Sequence, residues 1–470
     1  MSAETSSHPP SLSPEEKLDF KRILPIFVIV LIDLLGLTVI IPLLPLYSAS
    51  FNATPLIIGM VGATYPVFQF IGAPLLGSLS DRYGRKPVLM VSQVGTFIGF
   101  LVLGFAGTIW MLFLSRLIDG ISGANISTAQ AAISDSTTEK TRTQGLGLVG
   151  AAFGLGFVVG PVIAFVSLAL SGNNYHVPAF VAAGFSLLSI LLTWFWLPET
   201  LPAAQRSLQV EKKPVFSFGA LFAALRSPAV GLLLVLIFAQ QIAFGGFEQL
   251  LPLFTLTRLG LNASGNAVIF VFVGVIVVAV QGGLIGPWSR KFGDRRLIYA
   301  GLALLAAGLT LTALTPQIPP PGYSRAELQA ELAASGGLRT HENPAARSLA
   351  IELPDDANNG WLGLGVILLA MVPASIGGGI LHPSINSLIT KRVEKGRVGG
   401  MLGISAALLS AANALAPLLG GAIFQLLGPS MPFFLGGLAL AGLLVFAIQN
   451  LRSGSEESRP AGLARSAGNH

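Results

Sequence analysis

No cysteine occurs anywhere in the 470 residues. That excludes disulfides, thiolate metal sites and a cysteine nucleophile, and leaves the redox compartment open. Charge is scarce as well: Asp, Glu, Lys and Arg make up 11% of the chain, where a soluble domain carries about a quarter. An ordinary soluble globule is thereby excluded. The sequence also lacks a metal-ligand cluster, a nucleotide-binding loop and a nucleophile with a paired base. No enzymatic chemistry is expected, no catalytic or metal residue is nominated, and no cofactor is implied beyond a proton gradient as energy source.

What the chain has is apolar sequence, at 52% hydrophobic residues and a mean hydropathy of +0.72. Twelve runs stand out, at 23–47, 56–79, 87–108, 110–134, 145–170, 178–197, 230–254, 266–288, 297–315, 361–389, 398–427 and 432–449. A run of about 20 apolar residues spans a bilayer, and lipid forces it into a helix because the backbone finds no other hydrogen-bond partner there. The expected fold is therefore an all-α membrane protein of twelve transmembrane helices. The first run lies behind a polar leader and is too long for the core of a cleaved signal peptide.

The net charge of +6 reflects topology rather than an affinity for nucleic acid. With the N-terminus inside, 23 of the 28 Lys and Arg residues fall in the leader, the even-to-odd loops or the tail. Arg116 lies within a span, and Arg258, Arg325, Arg339 and Arg347 lie outside. The positive-inside rule then puts both termini in the cytoplasm of a multi-pass protein of the inner, or plasma, membrane.

The runs form a repeat. Gly77-Ser-Leu-Ser-Asp81-Arg82-Tyr-Gly84-Arg85-Lys86 sits between the second and third runs, and Gly286-Pro-Trp-Ser-Arg290-Lys-Phe-Gly293-Asp-Arg295-Arg296 sits between the eighth and ninth. These clamps are offset by 209; later matches, Gly123 with Gly379 and Pro161 with Pro417, are offset by 256. The difference places an insert of 47 residues in the second half, in the polar stretch at about 316–360. Expected domains are a leader over 1–20, a six-helix bundle over 21–198, a linker over 199–228, a second bundle over 229–450 carrying the insert on the outer face, and a tail over 451–470. Within the insert, Ser324 and Glu327 have the spacing of a capping box, which predicts a short helix. The insert is either a solvated loop or a lid or docking surface.

At these motifs the sequence resembles the major facilitator superfamily, in its drug:proton antiporter-like branch, which includes tetracycline efflux proteins. The first clamp resembles the family's loop between helices 2 and 3, and Asp33-Leu-Leu-Gly36 running to Pro42-Leu-Leu-Pro45 resembles its helix 1 signature. Arg116-x-x-Asp119-Gly120-x-x-Gly123-Ala-Asn125 resembles the helix 4 motif. Gly147, Gly156, Gly160 and Pro161 keep the spacing of the antiporter motif of helix 5, although Ala164-Phe165 stands where the family has a glycine pair. The resemblance implies two pseudo-symmetric bundles working by alternating access. It also implies a latch of Gly77, Asp81, Arg82, Gly84, Arg85 and Lys86, in which Asp81 meets the start of helix 11, Arg85 pairs with Asp135, and both contacts exist only while the cytoplasmic end is closed. Gly147, Gly156, Gly160 and Pro161 would form the bend on which the bundles rock, or simply a close-packed helix face.

Four charged residues fall inside spans: Asp33, Arg116, Asp119 and Glu248. Charge in a bilayer is costly, so each is a candidate for function. By helical rise Asp33 lies about 15 Å above the inner end of its helix, and Arg116 about 9 Å below the outer end of its own. The expectation is that Asp33 and Arg116 approach each other across the first half, with Asp119 as Arg116's neutraliser, and that this trio couples to protons. Glu248, with Gln241, Asn125, His382 and Asn386, would line the substrate cavity; the alternatives are a Glu248 near the outer boundary that reaches water and a His382 that serves only packing. The expected function is proton-coupled export of a small lipophilic or drug-like molecule by a monomer whose partners are substrate, protons and lipid, with no nucleic acid. A uniporter or proton symporter of a sugar or other metabolite is the alternative within transport, and a receptor or lipid-handling protein without turnover is the alternative outside it.

Overall fold

The computed structural model describes residues 19–123, 125–138, 141–201, 206, 218–227, 230–335, 349–393 and 398–451. Nearly all of the leader, most of the linker with Lys212 and Lys213, the centre of the insert and all but Leu451 of the tail lie outside the described residues.

The first bundle contains α1 (Phe20–Ile40), α2 (Leu44–Ser50), α3 (Pro55–Tyr83), α4 (Arg85–Gly104), α5 (Ile109–Ser122), α6 (Asn125–Asp135), α7 (Arg142–Leu170) and α8 (His176–Trp196). After α9 (Phe218–Leu225), the second bundle begins with α10 (Gly231–Leu259) and α11 (Ala263–Ala279), a π turn at Val280–Leu284, and α12 (Ile285–Phe292). It continues through α13 (Asp294–Ala313), the insert helix α14 (Arg325–Ser335), α15 (Leu362–Arg392), α16 (Val398–Leu427) and α17 (Met431–Asn450). Eleven stretches among the described residues are long and apolar enough to cross a membrane. The fourth crossing is the twelfth: it is broken, stopping at Ser122 and resuming at Asn125. The first is interrupted too, where Pro42 denies the backbone a donor and a turn separates α1 from α2. Large apolar side chains such as Leu170, Trp110 and Phe195 point outward, as a lipid-facing surface requires.

Both clamp loops turn on a glycine with positive φ, Gly84 at 108° and Gly293 at 79°, a conformation that disfavours any Cβ. The duplication is thus present in the backbone. At Gly84 a Cβ would also strike the carboxylate of Glu199.

The bundles meet along two seams, α3 against α16 and α7 against α11. Helices in lipid gain no hydrophobic drive to associate, so close approach at small residues must hold these seams. From the end bearing the insert to about the middle of the crossing they are tight. A Cβ on Gly59 would collide with the Pro417 carbonyl, one on Gly421 would lie 2.6 Å from the Pro55 carbonyl, and one on Gly274 would lie 2.5 Å from the Phe157 carbonyl. Toward the clamps the seams part. Gly77 lies on the same line of α3 as Gly59, and Gly403 on the same line of α16 as Gly421, each about five turns away; a Cβ at either would meet nothing within 4 Å. Along α7 the same gradient appears: a Cβ at Gly154 would lie 3.7 Å from Val278, and at Gly150 and Gly147 it would meet nothing. The bundles are closed at the insert end and splayed at the clamp end.

Gly59→Leu should therefore lower the thermal unfolding temperature in detergent, by the equivalent of the roughly 1–3 kcal/mol that overpacking costs. Gly77→Leu should leave it nearly unchanged. Equal losses at both positions would contradict a seam that opens toward the clamps.

Candidate functional site

In the first bundle, Asp33, Leu34, Leu37, Tyr65, Thr96, Phe100, Asp119, Gly123, Asn125 and Ile126 line a cavity of about 30 Å³, room for a water molecule or two. Asp33 comes from α1, Tyr65 from α3, Thr96 from α4, and Asp119 and Asn125 from either side of the break in the fourth crossing. Gln69 holds that break by donating to the Gly123 carbonyl at 3.0 Å and to the Tyr65 hydroxyl at 2.9 Å. The expected approach of Asp33 to Arg116 is not what the structure has. Arg116 is turned along its own helix to Asp119, Nη1 to Oδ2 at 3.2 Å, close enough for an ion pair but without the geometry of a hydrogen bond. Its guanidinium lies over the Phe100 ring, 5.5 Å from the centroid. Three residues apart on one helix, these opposite charges satisfy each other locally, which frees Asp33 from the arginine. Asp33 Oδ2 accepts instead from Gln93 Nε2 at a long 3.4 Å, and Gln93 also donates to Ser189 at 2.7 Å. Asp33 Oδ1 and Asn125 Oδ1 are buried with no protein partner among the described residues.

The second bundle carries a chain of amides. Gln240 donates to Gln241 at 3.1 Å, and Gln241 to Asn413 at 2.7 Å. On α15, Asn386 pairs with His382 at 3.2 Å and accepts from Ser405 at 3.0 Å. Glu248 is half-buried with no charged partner acting on it among the described residues. Neither it nor His382 lines the cavity around Asp33. Asn413, Ser405, Tyr65, Thr96, Gln93 and Ser189 were not nominated from sequence. Their signal is simply a polar residue inside an apolar run, which is too common for single residues to stand out.

Gly156 and Gly160 of α7 pack against α1, where a Cβ on Gly160 would strike Thr38. Gly147 faces open space, and α7 continues without a break through Pro161.

At the clamps, Arg85 pairs with Asp135 at 2.8 Å, as expected, but also with Asp81 at 2.7 Å. Both bonds stay within the first bundle, and both exist while the clamp end is open. The expectation that the Arg85–Asp135 contact forms only on closure is corrected for this reason: Arg85, just 6% exposed, needs acidic partners in every state. Asp81 was expected to meet the start of α16, at Val398; among the described residues its partner is Arg85 instead. Arg82 lies 5.5 Å from the Tyr83 ring centroid. Lys86 donates to the Trp194 carbonyl at 2.8 Å. Glu199, not foreseen, accepts from the backbone amides of Arg85 and Lys86 at 2.9 and 3.3 Å, a carboxylate capping the first turn of α4.

In the second clamp Arg290 stands where the first has Asp81, but an acid follows at Asp294. Asp294 is offset by 209 from Arg85, and Lys391 by 256 from Asp135. They pair at 2.6 Å, with Ser387 donating to Asp294 at 2.5 Å and Ser289 donating as well. The same two positions are bridged in both halves, with the signs of charge exchanged.

The sequence profile described as the Major Facilitator Superfamily matches residues 26–334. The chain is similar to the class B tetracycline resistance protein of Escherichia coli, at 27% identity over 90% of this chain and 92% of that one. It is also similar to multidrug resistance protein 1 of Bacillus subtilis, at 26% identity over 87% and 91%. Among solved structures, the human organic anion transporter MFSD10 superposes with a TM-score of 0.61 at 22% identity, over 94% of this chain and all of that one. That last likeness bears on fold alone.

The two clamp bridges should differ in strength. Arg85 and Asp135 are 6% and 18% exposed, whereas Lys391 is 53% exposed. Double-mutant cycles on thermal unfolding should give a coupling of about 2 kcal/mol for Arg85–Asp135 and no more than about 1 kcal/mol for Asp294–Lys391. The reverse order would mean that solvent access does not set the strength of these pairs.

Proposed function

Because the chain belongs to the major facilitator superfamily, and is a membrane transporter rather than an enzyme, we propose that it exports a small lipophilic molecule in exchange for protons. The observation that carries this reading is Asp33. It is a carboxylate inside a span with an unpartnered, buried oxygen at a water-sized cavity, while the one cation nearby is already matched by Asp119. Intramembrane carboxylates of this kind serve as proton relays in transporters. The tetracycline and multidrug resistance relatives support export of a drug-like molecule.

With the clamp end at the cytoplasm, as the distribution of Lys and Arg requires, the splayed seams correspond to a cytoplasm-open state. Substrate would enter between the bundles from that side and leave after the seams part at the insert end, a rocking of one repeat against the other. Glu248 and the amide chain of Gln240, Gln241 and Asn413 supply polar contacts on the second-bundle side. Those amides also favour the alternative, a metabolite recognised by hydrogen bonds and carried by uniport or symport.

Flux in proteoliposomes decides between them. Asp33→Asn should keep substrate exchange and lose accumulation driven by an imposed pH gradient, by at least about tenfold, the effect expected of removing an essential proton carrier. Glu248→Gln is the control. If Asp33→Asn still concentrates substrate and Glu248→Gln does not, the proton travels through the second bundle; gradient-independent flux in the unmodified protein would mean uniport.

A further inference from the structure

The insert does not lie idle on the second bundle. Ser324 caps its helix by accepting from the Glu327 amide at 3.3 Å, and α14 turns Leu328 and Leu332 into the core, against the α2 region of the first bundle. On the same helix Glu331 is half-buried between the halves. Its Oε1 accepts from the Tyr175 hydroxyl at 3.0 Å, and its Oε2 from Asn173 Nδ2 at 3.2 Å. Both belong to the loop after α7, in the first bundle. Oε2 also accepts from Asn262 Nδ2 at 3.0 Å, at the start of α11 in the second. Around this point further bonds cross the same boundary: Ser335 Oγ to the Asn173 carbonyl at 3.2 Å, Ser264 to Asn173, and the Ala350 amide to Asn52 Oδ1 at 2.5 Å.

We propose that the insert is a strap which holds the two bundles together at this end, with the Glu331 carboxylate as its fastening, and that Glu331 must let go before the transporter can open outward. The proposal rests on the alternating-access reading above, but it concerns a gate and not the transported molecule. Three donors from two rigid bodies converge on one carboxyl group, so separating the bodies breaks at least one hydrogen bond. The first half has no counterpart of this segment, so the strap belongs to the second half alone.

The strap has a pH sense. Burial pushes the Glu331 carboxyl above the ordinary glutamate value of 4.5, against the lowering effect of Asn262, Tyr175 and Asn173. The titratable groups facing it are Tyr175 from its loop and, behind that ring, Tyr47 of α2 with its partner His176, 2.9 Å apart. The loop before α11 offers only the neutral Asn262, and no charged side chain among the described residues acts on Glu331. A raised value in the closed form means that closure favours the protonated acid. Closure should therefore be fully supported below the ordinary value and weaken as pH rises through it toward the raised one.

The absence of cysteine allows spin labels to be placed at Asn174→Cys and Leu427→Cys in the full chain in nanodiscs, on opposite bundles at this end. In the parent protein one short distance should dominate at pH 5, with a longer one gaining as pH is raised to 8. Glu331→Ala should cut the ratio of short to long populations by about tenfold, the effect of losing one buried hydrogen bond. Glu331→Gln, neutral but still able to accept, should stay short at both pH values. Tyr175→Phe, which removes one donor and keeps the packing, should move the ratio the same way as Glu331→Ala by less, and it decides the matter if the alanine variant fails to fold. Unchanged distances in folded Glu331→Ala or, failing that, in Tyr175→Phe overturn the strap; a parent distance that does not lengthen with pH overturns its control by protonation. Neither readout needs flux, so a protein that transports nothing yet shows these shifts would contradict the proposed function and leave the strap standing.

Discussion

Lipid offers a polar group no partner, and this constraint organises the molecule. Of the four charges inside the spans, Arg116 and Asp119 have found each other, Asp33 stands at a cavity, and Glu248 is half-buried with no charged partner among the described residues. Arg116 and Asp119 cancel one another along a single helix. Asp33 is left with a long bond from Gln93 and one bare oxygen. Asp119 Oδ2 and Arg116 Nε are also buried without a hydrogen bond, but their charges answer each other; Asp33 has no such neighbour among the described residues, and that is why we propose that coupling runs through it.

The same constraint explains how the bundles are held. Without water to expel, their attachment depends on backbone meeting backbone at Gly59, Gly274 and Gly421. Such contact is sensitive to angle: a small rotation that presses one end of a seam together draws the other apart. The polar bonds described between the bundles gather at the insert end, around Glu331, whereas the clamp bridges stay inside their own bundles. The glycine seams set how the bundles can move at all.

Much of this was legible in the sequence. Lipid-length runs and repeated clamp glycines identify a duplicated twelve-helix protein because both follow from short-range rules, hydropathy and the conformational freedom of glycine. The helix at Ser324 was visible for a similar reason, a local capping pattern, whereas the partnership of Arg85 with Asp135 was implied by the family resemblance. What escaped were contacts that depend on side-chain direction. Arg116 could reach either Asp33 or Asp119, and spacing alone does not choose between them. The Asp294–Lys391 bridge was hidden because its charges are exchanged: the acid stands at the position of Arg85 and the base at that of Asp135, while Arg290 stands opposite Asp81. The carboxylate of Glu331 lay in a segment that reads as solvated, and only the loops at Asn173 and Asn262, distant in sequence, give it meaning.

The row of Gly147, Gly150, Gly154 and Val158 on α7 passes from open space to contact with Gly274 within three turns of helix. In mechanical terms this locates a fulcrum between Gly154 and Val158, near the middle of the crossing. From there to Gly147 is an arm of only about 15 Å at the helical rise. Rotation by a modest angle about such a point moves the mouth by about the width of a side chain, while the fulcrum itself scarcely shifts. A bulky residue at Gly274 would jam the motion in both directions, whereas one at Gly147 would obstruct it in one direction only.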